Sequence, residues 1–181
     1  MAGGESLSCL LLWSLPAMFF LHDAEEVIFL PPWLRRNRDF LARRFPRLAR
    51  RMLPHFDGIT PVKFAVMAVE ELALLVAVTL YAGFSGDYLP WLALYLAFGV
   101  HLLIHLAQWV AIGRYLPVVA TLLPSLACCG WGMCLIINSR LFTLREFVFA
   151  GVAGCAVAAV NLWFLHRLSA KSAVFSGRRA R

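Results

Sequence analysis

Leu7 to Leu30 reads LSCLLLWSLPAMFFLHDAEEVIFL, and the fold turns on its last third. Leu7 to Phe20 is predominantly apolar, and Val27-Ile28-Phe29-Leu30 resumes the apolar run beyond the polar knot His22-Asp23-Ala24-Glu25-Glu26. At about 100° per residue, His22, Glu25 and Glu26 share one helical face, with Asp23 beside it. A charged side chain at mid-bilayer costs about 2.5–3.5 kcal/mol on insertion scales. Two carboxylates and a histidine on one face therefore need protons, a cation or other helices as partners. The stretch predicts a membrane-spanning helix with an embedded polar site.

The remaining composition fits that setting. Of 181 residues, 61% are hydrophobic and 15% charged, and the mean hydropathy is +0.75, far from the soluble average. Five apolar runs reach the length of a bilayer core, about 20 residues: 7–30, 61–83, 88–113, 116–137 and 146–168. We read residues 1–181 as a single all-α membrane domain, a polytopic bundle of about five transmembrane helices plus a basic interfacial amphipathic helix. Pro31-Pro32 is expected to end the first helix, and Thr60-Pro61 to cap the second. In the fourth run Pro124 and Gly130-Trp131-Gly132 suggest a kink and close packing. Ala150, Gly154 and Ala158 suggest close helix approach in the fifth.

A net charge of +7 raises nucleic acid as a partner, but the charge is concentrated in two places. Eight arginines lie between Arg35 and Arg51, and five cations between Arg167 and Arg181. No base-reading module accompanies them, so nucleic acid is set aside. Residues 33–53 read as the amphipathic stretch: Leu34, Phe40, Leu41, Phe45, Leu48 and Met52 toward lipid, the arginines toward anionic lipid head groups. The positive-inside rule places that loop and the C-terminus in the cytoplasm and the N-terminus outside. This is the topology of a multi-pass inner-membrane protein. Glu5, with no Lys or Arg before the first run, argues against a cleaved signal. Cys9, Cys128, Cys129, Cys134 and Cys155 form no C-x-x-C pair and read as small buried hydrophobes.

Polar residues recur in the later runs: Glu70 and Glu71 in the second, His101 and His105 one turn apart in the third with Gln108 continuing their stripe, and Asn161 in the fifth. At about 1.5 Å rise per residue, His22 to Glu26 lie roughly 5–11 Å to the cytoplasmic side of the span midpoint. On the same scale Glu70, Glu71 and His101 lie near the midpoint, with His105 about 7 Å and Asn161 roughly 6 Å cytoplasmic. Four helices thus place polar groups in one layer.

Imidazoles and carboxylates together suit zinc, iron or manganese, and histidines at i and i+4 can hold one ion from a single face. The expected metal ligands are His22, Glu25, Glu26, His101 and His105. Glu25, Glu70 and Glu71 are candidate acid–base groups, and Asn161 and Gln108 candidates to hydrogen-bond the ligands. Glu70 and Glu71 point about 100° apart, and the pattern does not choose between them. Di-metal bundles use Glu-x-x-His, whereas this chain has His-x-x-Glu. Asp23, His55 and His166 read as structural.

The H-x-x-E-E pattern of His22 to Glu26, with Glu70-Glu71 and His101-x-x-x-His105 in later apolar runs, resembles the HXXEE-domain family of bacterial integral membrane proteins over residues 10–165. The resemblance implies candidate residues and no mechanism, since that family has no established activity.

The leading expectation is a membrane metalloenzyme acting on a lipid or other apolar substrate, because lipophilic molecules reach a site in the cytoplasmic leaflet most readily. A metal-free acid–base isomerase is the nearest alternative; five-span sterol isomerases of the emopamil-binding type are similar in span number and in using intramembrane His and Glu. A proton or metal-ion carrier is another, although no inverted repeat is visible; an oligomer could restore a pathway. A non-catalytic membrane protein with a satisfied polar core is the last.

Overall fold

The computed structural model describes residues 6–57 and 60–177. The described residues form seven helices: α1 (Cys9–Arg36), α2 (Arg38–Arg44), α3 (Pro46–Asp57), α4 (Pro61–Ser85), α5 (Leu89–Ile112), α6 (Val119–Asn138) and α7 (Leu144–Gly177). Val62–Ser85, Leu89–Ile112, Val119–Asn138 and Leu144–Leu165 are long and apolar enough to cross a membrane. The chain is an all-α, multi-pass membrane protein. α1 is as long, at 28 residues, but every 18-residue stretch of it contains Asp23, Glu25 and Glu26. Four of the five expected spans therefore stand on length and hydropathy alone.

Local chemistry sets the helix ends. Thr60 accepts from the Lys63 amide at 3.3 Å, and Pro61 opens α4 without wasting a donor. Thr143-x-x-Glu146 forms a capping box: Glu146 Oε2 accepts from the Thr143 amide at 2.7 Å, and Thr143 Oγ1 from the Glu146 amide at 3.3 Å. Gly86 and Gly113 close α4 and α5 with φ of 72° and 66°, a backbone that glycine adopts without strain.

One expected boundary moves. α1 does not end at Pro31-Pro32 but continues through both to Arg36. The prolines remove two amide donors, yet packing holds the turn: Leu30, Trp33 and Leu34 lie against Leu116 and Val118. Asn37 then closes the helix, its backbone N–H and side-chain amide both donating to Trp33 O, at 3.0 and 2.9 Å. The basic stretch 33–53 is consequently divided among the end of α1, α2 and most of α3. Leu41, Ala49 and Leu53 bury themselves among Trp33, Leu34, Phe40 and Phe45, leaving the α3 arginines exposed.

α1 packs against α4, α5 and α6, and α5 also packs against α4, α6 and α7. The core between them gathers Leu15, Trp91, Leu92, Tyr95, Leu102, Leu122 and Ile136. Its two large polar rings are paired: Trp91 Nε1 donates to Leu12 O at 3.1 Å and the Tyr95 hydroxyl to Cys129 O at 3.0 Å. Gly132 makes room for that tyrosine, and a Cβ on Gly154 would strike the Ala93 backbone, so α7 and α5 touch closely there. All five cysteines are free, and only Cys129 is buried.

Candidate metal centre

α1 and α5 bring four donors together. One ligand atom from each of His22, Glu26, His101 and His105 lies within 4.8 Å of the other three. Helical periodicity does the placing, with i and i+4 on each helix forming one face. His22 is fully buried and His105 nearly so, with His101 and Glu26 partly covered. The three imidazoles meet edge to face, their centroids 4.4 to 5.4 Å apart, and Phe98 stands 6.2 Å from both His22 and His101.

The tautomers follow from the hydrogen bonds. Thr121 Oγ1 has one proton and donates it to Glu25 Oε2 at 2.6 Å. His22 Nδ1, 3.0 Å from the same oxygen, must then be the donor. That leaves the lone pair on His22 Nε2, which is buried with no hydrogen-bond partner. His101 and His105 present Nε2 to Nε2 at 3.1 Å, so at least one of these nitrogens also offers a lone pair. Glu26 Oε1 lies 3.8 Å from His105 Nε2 and makes no hydrogen bond among the described residues. Three imidazole nitrogens and one carboxylate oxygen converge, and a cation that replaced the proton shared between His101 and His105 would find all four as donors, a set that fits a first-row divalent metal. The Glu25–Thr121–His22 chain fits the outer-layer support that a ligating histidine takes.

Glu25 is not among the converging four. Its carboxylate sits on the N-terminus of α6, accepting from the amides of Val118, Ala120 and Thr121 at 3.1, 3.4 and 2.8 Å and from the Thr121 hydroxyl. Amides at a helix start form an anion site. Val118 is held at φ 137° to aim its N–H, a backbone a β-branched residue rarely adopts.

Of the neighbouring glutamates, Glu71 turns toward α1, close enough to Asp23 and Glu26 to feel their charge. Glu70 turns away and accepts from Asn161 Nδ2 at 3.1 Å. Asn161 thus meets a carboxylate outside the group of four, and Gln108 lies one turn beyond His105, beside it. Asp23, set aside above, is buried at 8% exposure next to the cluster. His55 and His166 lie outside the residues whose side chains are described. Thr121 carries no signal in the sequence. Nothing in Leu116-Pro117-Val118-Val119-Ala120-Thr121 announces an anion site, because most of its donors are backbone amides.

A family model described as a protein of unknown function with HXXEE motif matches residues 13–132. No curated protein and no solved structure matches the chain.

Proposed function

The chain belongs to the HXXEE family, and we propose that it is a metal-dependent membrane enzyme acting on a lipid or other apolar substrate. One observation carries the reading: four donors from two helices converge within 4.8 Å, among them a buried imidazole nitrogen with no partner. A packing histidine would have closed that bond. His22, Glu26, His101 and His105 would hold zinc, iron or manganese. Glu25 would act through Thr121, fixing the ring of His22 rather than ligating. Glu71, with Asp23, would hold or deliver protons beside Glu26. A bound divalent ion would supply Lewis acidity, and iron would add redox capacity.

In this reading α1 is a fifth span, residues 1–181 are one membrane domain, and the arginine loop and C-terminus face the cytoplasm. The carboxylates Glu71, Asp23 and Glu26 favour one alternative, metal-free acid–base or proton-relay chemistry.

Elemental analysis decides between them. Protein purified without chelator or polyhistidine tag should hold close to one zinc, iron or manganese per chain. His101→Ala with His105→Ala should remove nearly all of it, while Glu70→Gln should leave it unchanged. Wild-type protein that carries no metal and cannot be loaded would sink the metalloenzyme reading and advance the alternative.

A further inference from the structure

A cavity of about 220 Å³ opens beside the cluster and touches it through Glu26 and His105. Along α1 its wall runs from Glu26 past Leu30 to Trp33 and Leu34, and along α5 from His105 to Ile112. At about 1.5 Å per residue that is a length of roughly 10–12 Å. Apart from Glu26, His105 and Gln108, every lining side chain is apolar. α3 closes the far end, where Leu48 and Met52 line the cavity yet remain 55% and 39% exposed. On a membrane protein, exposed apolar residues at such a lip face lipid. The same Leu48 borders a second recess, formed with Arg47, Arg50 and Arg51.

These features specify an occupant. A sugar or nucleotide would lose its hydration against this wall without hydrogen bonds in return. A hydrocarbon chain fits, but lipid tails are as apolar as the lining, so the wall alone gives little preference. The three arginines beside the mouth supply the selection, because clustered cations attract anionic head groups. We propose that the cavity receives one hydrocarbon chain of an anionic membrane amphiphile, with its head group on Arg47, Arg50 and Arg51 and its chain running inward to Glu26 and His105. This rests on the enzyme reading and narrows it: the bond presented to the cluster lies in the chain, away from the head group.

Photolabelling of the purified full-length protein tests this with dodecanoic acid, whose chain matches the length of the wall, carrying a diazirine beside the carboxylate or at the tail. Labelling should saturate, the head-proximal probe marking residues 46–53 and the tail probe residues 101–112. Ala49→Trp and Ala111→Trp fill the cavity from different walls, and each should cut labelling about tenfold while leaving metal content unchanged. Ala111 is exposed, so that variant decides if Ala49→Trp fails to fold. Reversing Arg47, Arg50 and Arg51 to Glu should weaken the carboxylate probes about tenfold and spare a dodecanol analogue. Non-saturable labelling, labelling that the folded Trp variant does not reduce, a tail probe found on α3, or equal loss of acid and alcohol would each overturn the proposal. Metal analysis is independent. A chain bound by metal-free protein would remove the metalloenzyme and keep this site; metal without chain binding would do the reverse.

Discussion

Glu25 and Glu26 are adjacent on α1, yet they stand in opposite surroundings. Glu25 faces α6 and accepts four hydrogen bonds, three from backbone amides. Glu26 faces α5 and accepts none among the described residues, with the Nε2 of His105 3.8 Å away. One step of about 100° around a helix separates a saturated anion from an unsaturated one. The difference teaches how to divide the five-residue motif. Unmet lone pairs in a buried place mark where a ligand belongs, whereas fully used ones mark a structural joint. His22 belongs to both sides, its Nδ1 committed to the α6 joint and its Nε2 left over for the cluster.

The largest expected effect breaks the saturated side. Glu25→Ala strands the buried Val118 amide and removes the anion from the start of α6. At about 1.5–3 kcal/mol for each bond to a charged group, with losses less than additive, the cost should reach about 3–5 kcal/mol. Reversible unfolding in detergent would read it. A loss below about 1 kcal/mol would mean that α6 is not held by this carboxylate.

Glu26→Gln should behave in the opposite way. In metal-free protein its stability should match wild type within about 1 kcal/mol or exceed it, since a carboxyl crowded by Asp23 and Glu71 is replaced by an amide of the same shape that cannot ionise. Metal affinity should fall about 100-fold with the loss of the only anionic member of the four. If Glu26→Gln unfolds the metal-free protein as Glu25→Ala does, the two carboxylates share one structural role and the division fails.

How much of this could be read from the sequence varies with the range of the interaction. The four apolar spans, the Thr60-Pro61 cap and the shared faces of His22 with Glu26 and of His101 with His105 follow from apolar run length and helical spacing, both local; that α1 and α5 join these faces and leave Glu25 out does not. Pro31-Pro32 misled because proline's cost is local, while the packing of Trp33 and Leu34 that offsets it is not. The pairings of Glu25 with Thr121 and Glu70 with Asn161 join residues more than 90 positions apart. No periodicity within one helix reveals such a pair. Spacing showed that Glu70 and Glu71 diverge; only the packing of α4 on α1 turns Glu71 to the cluster.

Thr121 links the two sides and sharpens the comparison at moderate size. Thr121→Val keeps the shape and deletes the hydroxyl between Glu25 and His22. Losing such outer support costs about 10–100-fold in metal affinity, whereas Thr121→Ser should retain most of it. Titration of chelator-stripped protein measures both. Equal affinity for the Val and Ser variants would show that His22 needs no support from α6.

The smallest effect lies in the backbone beneath Glu25. Val118 is fully buried against Leu30 and Leu116, which favours keeping its side chain. Its φ of 137° with ψ of −17° is a region glycine enters freely and a β-branched residue does not. Strain of this kind costs about 1–3 kcal/mol. Val118→Ala removes two methyl groups and keeps the strain. Val118→Gly removes one carbon more but releases it, at a cost of about 0.5–1 kcal/mol in unfolded-chain freedom. The usual order should therefore invert, with the Gly variant about 1 kcal/mol more stable than the Ala variant. Because Gly retains the amide, Glu25 should keep its bond and metal affinity should stay at the wild-type level. An Ala variant as stable as Gly would mean that Val118 carries no strain.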